Sequence, residues 1–366
     1  MRLPEPVEVG VARIIRALPP PIVRTLAGAP VIVDGQRLEP EARLAQRILD
    51  LDPPPPIETL PVVAARARLE RDARVFSGPR VEVDGVRDLE VAGAAGRLPA
   101  RLYTGRAQAP SALLVYFHGG GWTVGSIDSH DNLCRFLARE AGIGVLSVGY
   151  RLAPESRFPA AVEDALASFR DAVCRAGELG APGAGAVAVG GDSAGANLAA
   201  VVSLLAREDA GPMPALQLLI YPVVQVSDRQ RRSHRLFGEG FYLTSREMDW
   251  YDANYLPEPE QARDWRASPL LADDLSGLPH AIVAIAGFDP LRDEADEYAS
   301  RLAEAGVDVD VRRVPGLPHG FANAANAGRA PRSAMRDLAG ALRAALARAD
   351  AGDAGERLDL TLDEPE

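Results

Sequence analysis

The run Ala186-Val187-Ala188-Val189-Gly190 leads into Gly191-Asp192-Ser193-Ala194-Gly195, and Asn197-Leu198-Ala199-Ala200-Val201-Val202 follows. An apolar β-branched run, a serine between glycines and a helix-compatible stretch form the strand-turn-helix pattern of a nucleophile elbow. A serine hydroxyl is a weak nucleophile at neutral pH, so it needs a base within reach and a position clear of its neighbours. Glycines two residues to either side of Ser193 remove the side chains that would collide on so sharp a turn. A Gly-rich turn without chemistry carries the same five-residue pattern, so the rest of the chain decides.

Upstream, the apolar strand Leu113-Leu114-Val115-Tyr116-Phe117 ends in His118-Gly119-Gly120-Gly121-Trp122. Consecutive glycines let backbone N–H groups approach a ligand closely. Fixed N–H donors stabilise the oxyanion of a tetrahedral intermediate without reorganising, and losing one typically costs about 2.7 to 4 kcal/mol of barrier. The N–H of Ala194, just after the nucleophile, would supply a further donor. The alternative of a phosphate cradle fails because a P-loop needs a lysine, and the chain contains none. That absence also excludes Schiff-base, pyridoxal and Ser-x-x-Lys chemistry.

The base for Ser193 must then be one of five histidines: His118, His130, His234, His280 or His319. The order serine, acid, histidine in this kind of fold excludes the first two. His234 falls in the polar run Arg229 to Arg235, and His280 precedes the strand Ala281 to Ala286, at its N-terminal end. Sites on open parallel sheets gather at the carboxyl ends. His319 fits, following the alternating strand Val307 to Val311 and the loop Pro315-Gly316-Leu317-Pro318. The acid is Asp289, three residues past the strand ending at Ala286, where it would hold the imidazole tautomer and stabilise the imidazolium. Asp293 and Glu294 are rivals by composition but fall inside the helix expected next; Asp293 is expected to pair with Arg292 or support the loop.

These motifs together resemble the hormone-sensitive lipase family of α/β-hydrolases, which includes many bacterial carboxylesterases. The resemblance rests on His118-Gly119-Gly120-Gly121-Trp122, Tyr150-Arg151-Leu152-Ala153-Pro154-Glu155, Gly191-Asp192-Ser193-Ala194-Gly195, Asp289-Pro290-Leu291-Arg292-Asp293 and His319-Gly320-Phe321, and covers residues from about 81 to 349. It implies Ser193 as nucleophile, Asp289 as orienting acid, His319 as base, and the N–H groups of Gly120, Gly121 and Ala194 as oxyanion donors. Gly119 would be a turn residue and His118 a loop support. Arg151 and Glu155 are expected to tie loops together as a pair.

The fold expected is α/β, a mostly parallel sheet with helices on both faces and a helical cap. Residues 1–80 carry helix-period segments (Val11 to Leu18, Glu41 to Leu51, Leu60 to Val75) between Pro-rich turns and read as the first half of a lid. Residues 81–105 alternate as an antiparallel hairpin turning near Gly93 to Gly96. The core would run over 81–224 and 263–349. Residues 225–262 form a polar and aromatic insertion on the nucleophile's side of the sheet, and Trp122, Phe241 and Tyr242 are candidates to line the pocket. Residues 350–366 read as an acidic, disordered tail.

The formal charge of −11 argues against nucleic acid or an anionic membrane as partner. Cys134 and Cys174 are expected to be buried small apolar residues in a reducing, cytoplasmic compartment, with no metal-ligand spacing. The first thirty residues contain no long apolar run and read as neither signal peptide nor membrane span. The expectation is a cofactor-free, metal-free serine carboxylesterase, monomer or homodimer, acting on small-molecule short- to medium-chain acyl esters. A lipase, an amidase or a lactone hydrolase could use the same triad. A lipase normally needs an exposed apolar surface, and no sequence feature signals one. A non-catalytic receptor of the same fold would lack a triad member.

Overall fold

The computed structural model describes residues 5–105 and 112–359. Helices α1 (Glu5–Ala17), α2 (Pro20–Ala27), α3 (Pro40–Leu49) and α4 (Val62–Phe76) come first, with a small hairpin of β1 (Ile32–Val33) and β2 (Gln36–Arg37) between α2 and α3. The triple proline Pro19-Pro20-Pro21 opens α2: Pro20 stands in the first turn, where a missing N–H costs nothing. The hairpin turns through Asp34 and Gly35, both at positive φ, as a two-residue turn with right-handed strand twist requires.

Next come β3 (Gly85–Gly93), β4 (Gly96–Thr104), β5 (Leu113–Phe117), α5 (Asp131–Ala141), β6 (Gly144–Val148), α6 (Ala160–Cys174), β7 (Val187–Asp192), α7 (Ala194–Glu208) and β8 (Gln217–Ile220). Helices α8 (Arg232–Phe237) and α9 (Ser245–Tyr255) lie between β8 and β9 (Ala281–Phe288), followed by α10 (Arg292–Glu304), β10 (Val309–Pro318) and α11 (Arg329–Asp359). Residues 350–359 thus continue a helix where a disordered tail is expected, and 360–366 lie outside the described residues.

The eight-stranded sheet runs β10-β9-β8-β7-β5-β6-β4-β3, parallel from β10 to β6 and antiparallel at β6–β4 and β4–β3. Its central strands are buried on both faces, which explains their unbroken apolar runs. Leu113, Val115 and Phe117 pack with α6, α7 and α10, while Leu114 and Tyr116 pack with α5 and α11. At roughly 1.5–3 kcal/mol per fully buried large apolar side chain, these two layers supply most of the folding drive.

Two readings need correction. Strand β9 continues to Phe288 and β10 to Pro318, so Asp289 and His319 directly follow strand ends rather than loops. Cys134 is buried, but Cys174 is exposed. Exposed aliphatic side chains include Ile14, Ile22, Leu26, Ile32 and Val63 of the N-terminal helices and hairpin. Among the described residues, no helix is long and apolar enough to cross a membrane.

Candidate active site

Strands β5 and β7 are direct neighbours, with Phe117 opposite Gly191, while β6 lies on the other side of β5. Strand order therefore reverses at β5. In open parallel sheets the crevice beyond the carboxyl ends at such a switch point is where ligands bind. The His118–Trp122 loop leaves β5 there, and Ser193 leaves β7 beside it.

Ser193 has φ 54° and ψ −119°, a conformation that costs a non-glycine residue on the order of 1–3 kcal/mol. Its surroundings hold it there. Ser193 N–H donates to the Ile220 carbonyl at 2.9 Å, and the Asn197 amide donates to the Val223 and Ala267 carbonyls at 2.9 Å each. Gly191 and Gly195 serve close approach: a Cβ on Gly195 would overlap the Phe117 carbonyl, and one on Gly191 would overlap the Gly195 backbone.

His319 Nε2 lies 3.0 Å from Ser193 Oγ, and His319 Nδ1 lies 2.7 Å from Asp289 Oδ2. The other Asp289 oxygen accepts the Leu291 N–H at 2.8 Å. Burial disfavours a charged His319, but the Asp289 carboxylate, with Asp192 and Glu247 beyond it, outweighs burial and raises the imidazole pKa above its ordinary value. The rivals are engaged elsewhere. His280 faces Asp308 at 2.8 Å, and Asp293 pairs with Arg292 at 2.8 Å while accepting the Ser233 N–H. Glu294 accepts the N–H groups of Val224 and Gln225, with His234 3.5 Å from its other oxygen.

In the glycine loop, Gly120 and Gly121 have φ of 114° and 56°. Gly119 N–H is taken by Asp192 Oδ1 at 2.9 Å, so it is unavailable to an oxyanion. The Gly120 carbonyl accepts the Thr123 and Val124 N–H groups at 3.1 and 2.9 Å. Peptide planarity then turns the Gly121 N–H the opposite way. Ala194 is the first residue of α7, where backbone N–H groups lack helical partners.

Behind the elbow lies a buried polar cluster whose roles sequence reasoning missed. Asp192 accepts the Tyr116 hydroxyl at 2.7 Å and faces His130 Nε2 at 3.3 Å. Burial alone would raise the Asp192 pKa, but His130, Tyr116 and the Gly119 N–H bring it down to about 2. Burial likewise opposes charge on His130, and Asp192 overcomes it, raising that pKa. The available signal was an acid ending a wholly apolar strand, which demands a buried partner. Burial and the nearby His130 push His118 down to about 3, so it is neutral; it stacks on the Tyr150 ring at 4.4 Å, and Tyr150 hydroxyl donates to the His118 carbonyl.

The expected Arg151–Glu155 pair is replaced by two others. Arg151 holds the buried Asp164 through two bonds of 2.7 and 2.9 Å, and Glu155 reaches Arg66 of α4. Trp122 is 1% exposed and stacks on Tyr255 with centroids 4.2 Å apart. Phe241 packs against Phe237 and Phe288, while Tyr242 is exposed and donates to the Ala42 carbonyl of α3. Tyr251, from α9, lies directly against Gly121. Among the described residues, no group of three or more His, Cys, Asp or Glu side chains could hold a metal ion.

A serine elbow, an acid and a histidine at the carboxyl ends of β7, β9 and β10 of such a sheet define an α/β-hydrolase. The model of the family described as alpha/beta hydrolase fold matches residues 114–323. The chain belongs to that family, in its hormone-sensitive lipase group of bacterial esterases. It is 46% identical to the carboxylic ester hydrolase LipN of Mycobacterium tuberculosis, over 93% of this chain and 92% of that protein. It is 41% identical to an ethyl acetate hydrolase of Pseudomonas putida, over 73% and 85%. Among solved structures, an ester-hydrolase from the metagenome of Lake Arreo superposes with a TM-score of 0.80 at 39% identity, covering 84% of this chain and 98% of that one. A hyperthermophilic esterase from Pyrobaculum calidifontis also gives 0.80, at 35% identity and the same coverage.

Proposed function

We propose that the chain is a serine carboxylesterase that cleaves short- to medium-chain acyl esters through an acyl-enzyme on Ser193. The observation that carries this reading is the unbroken hydrogen-bonded path Ser193 Oγ, His319, Asp289. Ser193 Oγ attacks the ester carbonyl as His319 Nε2 takes its proton, and Asp289 stabilises the imidazolium. The N–H groups of Gly120, Gly121 and Ala194 hold the oxyanion. The imidazolium returns the proton to the departing alkoxide. Water, deprotonated by His319, then attacks the acyl-enzyme, and the imidazolium returns that proton to Ser193 Oγ as the Oγ–acyl bond breaks and the acid leaves.

Relatives named for carboxylic ester and ethyl acetate hydrolysis support small ester substrates. The segments 1–80 and 225–262 act as two halves of a cap, a reading supported by the contact of Tyr242 with α3. An exposed thiol at Cys174 supports a reducing, cytoplasmic setting. Purified protein should hydrolyse p-nitrophenyl acetate, butyrate and hexanoate, and Ser193→Ala should remove nearly all of that activity along with fluorophosphonate labelling. Activity that survives the substitution overturns the assignment of the nucleophile.

A further inference from the structure

The Arg66 side chain reaches from α4, outside the sheet, into the loop that carries the oxyanion donors. Its Nε donates to the Thr123 carbonyl at 2.9 Å, and its Nη2 donates to the Ala153 carbonyl at 2.8 Å. Glu155 holds the same guanidinium through both carboxylate oxygens, at 3.0 and 2.6 Å. Ala153 N–H in turn donates to the Trp122 carbonyl at 2.8 Å. One guanidinium thus fastens the loop after Gly121 and the loop after Tyr150 to each other. Its planar fork fits two carbonyls and a carboxylate at once, which a lysine ammonium on a single stem would not reproduce.

The Thr123 carbonyl belongs to the same peptide unit as the Val124 N–H. That N–H donates to the Gly120 carbonyl at 2.9 Å. The Gly120 carbonyl belongs to the same peptide unit as the Gly121 N–H, a donor in the reading above. Arg66 therefore stands at one end of a relay of two rigid peptide planes, and the oxyanion stands at the other. Each plane transmits orientation because it does not twist, and each hydrogen bond in such a chain polarises the next. Val124 is fully buried in a cluster with Ala65 and Ile57, against which Tyr251 packs, so the Thr123–Val124 plane is clamped by packing from the N-terminal segment as well.

The geometry points to Arg66 as a positioning residue for the oxyanion hole, acting through Thr123–Val124 and Gly120–Gly121. This rests on the esterase reading and adds that the N-terminal helices set kcat as well as cover the substrate.

The test is steady-state turnover of p-nitrophenyl butyrate, together with inhibition by an alkyl trifluoromethyl ketone, whose hydrate oxyanion occupies the hole. Arg66→Met should lower kcat by roughly ten- to thirty-fold, a fraction of the 10²–10³ lost with a whole donor, with KM changed less than threefold. Its ketone Ki should rise by the factor lost in kcat/KM. Arg66→Lys, which keeps the charge beside Glu155 and guards against a folding failure of the first variant, should fall between it and the parent. Parental kcat and ketone Ki in both Arg66 variants would overturn the inference. A parent protein that neither turns over ester nor binds the ketone overturns the esterase reading beneath it.

Discussion

Asp192 and His130 face each other at 3.3 Å, both almost fully buried, immediately behind the strained serine. Breaking a buried pair by neutralising one member leaves the other uncompensated and typically costs about 3–5 kcal/mol. Asp192→Asn should therefore lower the urea midpoint by an amount equivalent to about 3 kcal/mol. Turnover should fall too, because Gly119 loses its charged anchor.

The same pair fixes how stability depends on pH. Asp192 has its pKa lowered from 3.8 to about 2, so its contribution is complete above 3.8 and fades as pH falls toward 2. His130 is raised above 6.5, so its contribution is complete below 6.5 and is lost as pH rises through the raised value. The pair's contribution should crest between about 4 and 6.5. Denaturant titrations across pH, in the parent and in Asp192→Asn, should show that crest only in the parent.

For catalysis, His319 must be neutral to accept the serine proton. Because Asp289 raises its pKa, the acid limb of kcat/KM should have its midpoint above 6.5. Asp289→Asn should shift that limb to lower pH and reduce kcat on the order of 10³–10⁴, through loss of the productive tautomer. A pH–rate profile of both proteins checks the direction and the size together.

Gly121 has φ 56°, and a Cβ there would strike the Tyr251 ring. Gly121→Ala should displace the donor and lower kcat by roughly 10²–10³ while the fold persists. Adding Tyr251→Ala should recover part of the loss, since the two changes share one contact and should be strongly non-additive. A double-mutant cycle in kcat/KM reads that coupling.

Ser193 itself is held where a Cβ is unwelcome. Ser193→Gly and Ser193→Ala should both be inactive, but the glycine variant should be more stable by about 1 kcal/mol, because only glycine adopts that backbone without strain. Thermal melts of the two inactive proteins make the comparison directly.

What could be read from residue order follows from what surrounds each element. Strands β5, β6 and β7 are covered on both faces and so appear as unbroken apolar runs, and glycines mark the turns that leave them. Ser193 and Asp289 were legible because each follows such a run, and His319 because the order serine, acid, histidine leaves it as the histidine beyond the last strand. Strand β10 lies at the sheet's edge, where Arg312, Arg313 and Pro315 are tolerated and hide the alternation, so its true end was not visible. The short β1–β2 hairpin carried its own Asp-Gly signal and was overlooked. Arg66 and His130 were beyond reach for a different reason: their partners Thr123, Ala153 and Asp192 lie 57 to 87 residues away, and no local periodicity encodes such contacts.

The β1–β2 hairpin and the residues after it touch both remaining catalytic loops. Asp34 holds Arg292 at 2.8 Å, three residues past Asp289, and Glu39 N–H donates to the Gly316 carbonyl, three residues before His319. Grafting the leading segment of a relative with a different substrate range onto this sheet would therefore disturb the alignment of the reacting groups, unless the matching stretches around 289–293 and 315–319 travelled with it. On the cap reading proposed above, selectivity and rate are mechanically linked, and an engineer should be able to exchange them only as one block.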